Sequence, residues 1–371
     1  LEELSGGTMT IDVYPSSSLG NESDMLDAVS MGTQDMLVTS TGPIPAFAKS
    51  TANWAVLDLP YLFPSYDSAY AVLDGEIGQQ LLAGFDGTGI KALAFWENGY
   101  RCTTNSKKEI VHPDDLKGMK IRTMENKVHM ATYSALGATP TAMAMGEVFT
   151  ALQQGTIDGQ ENPYAIIYYG NKLHEIQPYI TQNDVFYSPA VLAISEDVFN
   201  GLTAEQQGWL LEASELAKHE QRAIERGMQQ MGRKNMEAFG CTVSDVDQAE
   251  WIEATKSVYD DASLGIDADL LAKIQGITAA VTASADAAPA ADTAPAAEET
   301  KAETPAGMLP PVLTEPKDEE PLGSADATVR LKCGDTNAMT SAYNQGLVAL
   351  RNHLEELSGG TMTIDVYPSS S

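Results

Sequence analysis

Apolar positions along this chain switch between the alternating period of strands and the three-to-four spacing of helices. Residues 327–332 (ATVRLK) alternate as a strand, and 333–337 read as the loop at its carboxyl end. A helix is expected from about 341 to 357, stopped by Gly359 and Gly360, and then a strand over 361–367. Residues 22–31 are helical, 35–39 form a strand, and Ser40, Thr41, Gly42 and Pro43 are its exit loop. An apolar stretch around a proline covers 54–63, a helix covers 67–85 and a strand covers 90–95. Residues 184–194 are another strand. Thr203 and Gln206 make a capping box, with Leu202 as its staple. The helix that starts there continues to Phe239, with Gly240 as the stop. At that length it reaches roughly 50 Å, more than one lobe needs, so it reads as a strut across two.

Residues 116–164 form an α/β unit. A strand over 119–123 carries Arg122 at its far end. A helical run, a glycine turn, a second helix ending at Gly155 and the turn at 158–163 follow. In open α/β sheets ligands sit at the carboxyl ends of strands. An arginine there suits a carboxylate, because its planar fork donates two parallel hydrogen bonds.

The two ends of the chain are identical. Residues 1–18 and 354–371 both read LEELSGGTMTIDVYPSSS. The sequence overlaps itself, either as a window on a tandem array or as a circularly permuted frame. Only one copy of TMTIDVYP fits the sheet position. Between 278 and 326 the chain is dominated by Ala, Pro, Glu and Thr, and reads as a disordered linker with a reach of about 35–40 Å. The expected organisation is a two-lobe α/β fold. Lobe I takes 1–99, 327–371 and about 185–227; lobe II takes 100–184 and about 228–277.

With 371 residues and 43% hydrophobic content there is material for two lobes. A net charge of −30 argues against nucleic acid and anionic membranes as partners, and makes the few arginines near turns informative. No apolar run approaches a membrane span, and the opening residues carry no signal-peptide pattern. Three cysteines without a CxxC give neither a disulfide framework nor a zinc site. No cofactor motif is present, and carboxylates such as Glu147 and Asp158 suggest no acid–base pair.

Several candidates keep two readings. Glu125 and Asn126 follow Arg122 where a helix begins, so they cap it or meet a solute hydroxyl. Asn162 holds its own turn or lines a pocket. Ser40 and Thr41 end a strand that faces the cleft. Trp54, Tyr164 and Tyr187 are pocket walls or core. His129 lies in a helical run and reads as packed or solvated.

GYRCTTNSKKEI (99–110), DDLKGMKIR (114–122), ALGATPTAM (135–143) and EVFTALQQGTIDGQENP (147–163) together resemble the DctP-type solute receptors of tripartite ATP-independent periplasmic (TRAP) transporters. LKCGDTN (331–337) and the glycine–strand–YPSSSLG segment extend the resemblance over the whole unit outside the linker. It implies two lobes closing over a carboxylate solute, with a sodium-driven membrane permease as partner and no catalysis. It implies a periplasmic or extracytoplasmic location, with the linker as a possible tether.

By the same resemblance Arg122 is the carboxylate anchor, Arg101 a second cation and Asn162 a pocket asparagine. A first-lobe loop contributes at Thr336 or Asn337. Met145 stands where the family commonly has an aromatic, which favours an aliphatic ligand. The sequence leaves the solute open between a simple carboxylate and a sugar acid. It also leaves two rival functions: a sensing module for a signalling receptor, and an enzyme of acidic substrates.

Overall fold

A computed structural model describes residues 1, 4, 5, 8–287 and 329–334. Its strands are β1 (Met9–Tyr14), β2 (Met36–Ser40), β3 (Ile90–Asn105), β4 (Lys120–Thr123), β5 (Thr139–Ala142), β6 (Gly159–Asn162), β7 (Tyr179–Ser195), β8 (Thr242–Asp245) and β9 (Val329–Gly334). They join in one mixed sheet of order β1-β9-β2-β7-β3-β6-β4-β5, with β8 added to β7. The antiparallel pair β3–β7 runs from Ile90 opposite Ser195 to Asn105 opposite Tyr179. At 16 and 17 residues these strands are about three times the usual length, and they pass through both halves of the molecule. The pairing shifts between Glu97 and Gly99, where Gly99 adopts φ +103°, a conformation that glycine takes without strain.

Alternation along the strands builds the first half. Leu37, Val191 and Ala193 face one core with Trp54, Phe85 and Phe95. Met36, Val38, Leu192 and Ile194 face the other with Met9, Ile11 and Trp96. Burial on both faces suits the parallel strands β1, β9 and β2. The second half is packed around Val148, Leu152, Tyr164 and Ile167 on one side, and Ile121, Tyr133, Phe186 and Trp251 on the other.

The expected strut is a single helix, Ala204–Phe239. Thr203 Oγ1 accepts from Gln206 N at 3.2 Å and Gln206 Oε1 from Thr203 N at 2.9 Å, closing the capping box. Gly240 ends it in the left-handed conformation. Gln221 from this helix bridges the strand-crossing point: its Oε1 accepts from Glu97 N at 2.8 Å and its Nε2 donates to Glu97 O at 2.7 Å.

Several expectations need correction. The 67–85 helix is two helices, Tyr66–Leu73 and Glu76–Ala83, broken at Asp74 and Gly75. The strands expected at 90–95 and 184–194 are the long β3 and β7, because their polar residues are buried and paired rather than exposed.

The boundary drawn at 277 also moves. The helix Ala268–Ala287 continues into the segment expected to be linker. Its Ile274 is buried in the first-half core with Val258, and Tyr259 Oη donates to Pro60 O at 2.7 Å. These contacts set Val258, Tyr259 and Ile274 against the first half, while Lys256–Asp260 also packs on the helix Lys127–Ala135 of the second.

Residues 288–326 of the expected linker lie outside the described residues, as do the 341–357 helix and the second copy of the repeat. The first copy is in the sheet: Met9–Tyr14 pairs in parallel with Val329–Gly334. The three cysteines are buried thiols.

Candidate functional site

Arg122 stands at the end of β4 and is 2% exposed. Its Nε and Nη2 both donate to Met143 O, at 2.9 and 2.6 Å. That main-chain clamp fixes the fork, because β4 and the chain after β5 run side by side (Met143 N donates to Thr123 O at 3.2 Å). Among the described residues no carboxylate lies within 4.0 Å of the guanidinium. Burial depresses its pKa to about 10; Glu161 opposes the shift and Arg101 adds to it. A buried cation without a partner is costly.

Around Arg122 a small cavity is closed by Asn21, Glu22 and Ser23 from the first half and by Met124, Glu125, Met143 and Met145 from the second. Asn21 caps the helix Glu22–Ser30, which brings Glu22 to the cavity. Glu22 Oε1 accepts from Ser40 N at 2.8 Å, Ser40 Oγ at 2.7 Å and Thr39 Oγ1 at 3.0 Å, so strand end and helix start are tied together. Ser23 Oγ donates to Glu125 Oε2 at 3.5 Å across the two halves. Met124 Sδ accepts from Ser40 Oγ at 3.2 Å. The cavity left is about 20 Å³, room for about one water. A solute of several carbons therefore enters only when the two walls part.

Beneath the cavity lies a buried chain of charges. Arg101 Nε pairs with Glu161 Oε2, and its Nη2 donates to Glu161 O at 2.8 Å and to Asn162 Oδ1 at 3.0 Å. His129 Nδ1 lies 3.3 Å from Glu161 Oε1, and its Nε2 lies 3.7 Å from Asp58 Oδ1. Its ring stacks on Phe186 at 3.9 Å. Asp58 also accepts from Thr41 Oγ1 at 2.9 Å and Asn126 Nδ2 at 2.7 Å. Burial works to raise Glu161, but Arg101 and His129 outweigh it and hold the carboxyl near 2. Burial works to lower His129, but Glu161 and Asp58 carry it above its ordinary value.

The expected site residues therefore divide. Arg122, Glu125 and Met145 line the cavity, and Ser40 stands at its edge through Glu22 and Met124. Arg101 and Asn162 are engaged with each other, Arg101 also with Glu161 and Asn162 with Gln160; Asn162 Nδ2 reaches Met145 Sδ at 3.9 Å. Asn126 caps the helix Lys127–Ala135 through Val128 N and His129 N while reaching Gly42 O and Asp58 across the cleft. Thr41 serves Asp58.

Trp54 and Tyr187 are not cavity walls. Trp54 is fully buried against Phe85 and Phe95, with Nε1 donating to Leu81 O at 2.9 Å. Tyr187 packs among Phe63, Tyr66 and Tyr100, with Oη donating to Glu97 Oε2 at 2.9 Å. Tyr164 is core as well. Asn337 lies outside the described residues. Sequence reasoning missed Glu22 and Met124. For Glu22 the available signal was an acid directly after a capping asparagine, one strand upstream of the Ser40 loop.

The family model for DctP, the bacterial extracellular solute-binding protein family 7, matches residues 1–264. A solute-binding protein of Verminephrobacter eiseniae is 42% identical over 259 residues, covering 70% of this chain and 76% of the relative. A TRAP periplasmic solute-binding protein of Polaromonas, solved with D-erythronate bound, is 40% identical with a TM-score of 0.68, covering 71% of this chain and 86% of that one. One from Bordetella bronchispeptica, with density assigned to pantoate, is 36% identical with a TM-score of 0.70, covering 74% and 90%.

Proposed function

The chain belongs to the DctP family of TRAP solute-binding proteins, and we propose that it captures a hydroxylated monocarboxylate, of the sugar-acid kind, for a membrane permease. The observation that carries this reading is Arg122: a buried guanidinium, clamped on one side by Met143 O and without a carboxylate within 4.0 Å among the described residues. The solute's carboxylate completes its hydrogen bonding. Glu22 and Glu125 line the same cavity and accept hydrogen bonds from solute hydroxyls. They also repel a second carboxylate, so a dicarboxylate is the poorer fit. D-erythronate and pantoate, named with the two solved relatives, both pair one carboxylate with hydroxyls.

Capture proceeds by opening and closure. The cavity is too small to admit a solute without movement, and a solute that bridges Arg122 and Glu22 stabilises the closed form selectively. The protein works outside the cytoplasm and hands its closed, loaded form to the permease. It breaks no bond of the solute; Arg122 binds and orients a carboxylate only.

Calorimetry with D-erythronate, L-threonate and succinate tests the reading. The two hydroxy acids should bind, succinate should bind at least tenfold more weakly, and Arg122→Ala should weaken binding by tenfold or more, since a charge-assisted pair is worth ~1.5–3 kcal/mol. Unchanged affinity in Arg122→Ala would remove the carboxylate anchor.

A further inference from the structure

A second, larger cavity lies away from Arg122. It is a groove of about 1000 Å³ on the strut-helix side, between the Tyr61–Asp67 segment, the middle of β3 and β7, and the helix Ala204–Phe239. Three of its tyrosines are fixed by their hydroxyls. Tyr61 Oη donates to Asn183 O at 3.1 Å, Tyr100 Oη to Phe63 O at 3.0 Å and Tyr164 Oη to Gln182 Oε1 at 3.0 Å. With their polar ends spent, the half-buried rings of Tyr61 and Tyr100 offer apolar surface to the groove, and the buried Tyr164 backs them. Tyr66 packs on Tyr100 at 4.9 Å, edge to face, and its hydroxyl makes no hydrogen bond among the described residues.

Two arginines line the groove, and they differ. Arg233 is held by Asp245, with contacts of 2.6 and 3.0 Å, and by Glu237. Arg226 lies over the rings of Tyr66 and Tyr70 at 5.9 and 5.6 Å, its one hydrogen bond a long one to Arg222 O (3.4 Å). No carboxylate is within 4.0 Å of it among the described residues, in a chain with 52 acids and 22 basic residues. Its charge reaches the buried Glu97 carboxyl only at longer range, and a guanidinium steadied on aromatic faces without a paired carboxylate is able to receive one.

We infer that this groove is a second small-molecule site, and that it takes an aromatic monocarboxylate. The ring lies against Tyr61 and Tyr100, and the carboxylate meets Arg226 and the Tyr66 hydroxyl. Asp67 and Asp184 also line the groove, so a second carboxylate on the ligand is repelled. An aliphatic acid forfeits the stacking that the tyrosine wall offers. The site is independent of the Arg122 cavity, with which it shares no lining residue.

The test titrates benzoate and phenylacetate into the full chain carrying Arg122→Ala, so that the first cavity cannot hold a carboxylate. Binding should persist there with a dissociation constant below about 1 mM. Adding Arg226→Ala should weaken it by about tenfold or more, and Arg226→Lys should restore part of the loss. Circular dichroism and the melting temperature establish that each variant is folded. No heat up to about 10 mM probe, an affinity indifferent to Arg226→Ala, or binding that vanishes with Arg122→Ala alone would each overturn the site.

Discussion

Asn126 Nδ2 donates to Asp58 Oδ2 at 2.7 Å, joining a helix cap in the second half of the molecule to a buried acid in the first. The same amide nitrogen donates to Gly42 O at 3.0 Å, while its oxygen receives the first turn of its own helix. One side chain thus finishes a helix and fastens the cleft. Asn126→Ala should cost about 1 kcal/mol in global stability for the cap. Beyond that, it should favour the open form, visible as a larger radius of gyration by small-angle scattering and a several-fold weaker D-erythronate affinity. Asn126→Ser, which keeps an oxygen for the cap but cannot span the cleft, should recover stability without recovering affinity.

Glu161 and Arg101 are both essentially unexposed. Removing one partner strands the other's charge, so Glu161→Gln should lower unfolding stability by roughly 3–5 kcal/mol in urea titrations. A loss under about 1 kcal/mol would mean the pair is of little consequence to folding.

The same chain of charges sets a pH window. Glu161 is held near 2, below its ordinary 4.5; its contribution is present above 4.5 and is lost as pH falls toward 2. His129 is raised above 6.5; its contribution is complete below 6.5 and is lost as pH rises through its folded value. Urea midpoints should therefore decline on both sides of a mildly acidic optimum. His129→Gln should remove the alkaline limb and, because His129 helps Arg101 hold Glu161 down, shrink the acid one; an unaltered alkaline limb would exclude His129 as its source.

Gly42 and Met124 meet across the cleft. A Cβ placed on Gly42 would stand 2.8 Å from both Sδ and Cε of Met124, and 3.2 Å from its Cβ. The far atoms of the thioether can turn away, but its Cβ cannot. Gly42→Val should hinder closure and weaken solute binding several-fold with little change in melting temperature. Adding Met124→Ala should restore much of the affinity.

Glu22 is expected to govern the choice of solute. Glu22→Gln keeps acceptor and shape but removes the charge that faces a second carboxylate. The ratio of D-erythronate to succinate affinity should fall by several-fold, with succinate gaining. If both affinities move together, Glu22 is a fastening for Ser40 alone.

Local chemistry was the part legible in the sequence. Thr203 with Gln206 and Gly240 marked both ends of the strut, because caps and left-handed stops depend on neighbours in sequence. The place of Arg122 was legible for the same reason, as the last charged residue of a short apolar strand.

The length of β3 and β7 was not legible. Glu97, Asn98, Arg101, Thr103 and Thr104 look like loop chemistry until partners such as Gln221, Asn183 and Glu161 are known. Trp54 and Tyr187 look the same in a pocket as in a core. Only the placement of Phe85, Phe95 and Glu97 around them decides. Glu22 and Met124 face Arg122 through folding alone; nothing in their local sequence records it.

The unbroken course of β3 and β7 has a consequence for how such a receptor diversifies. Neither half is a module that can be lifted out and joined to another, since each borrows part of its sheet from strands that the other also owns. If the Arg122 cavity holds the solute as proposed, new preferences arise residue by residue among Glu22, Met124, Glu125, Met143 and Met145, while the shared ribbon constrains both halves to change together.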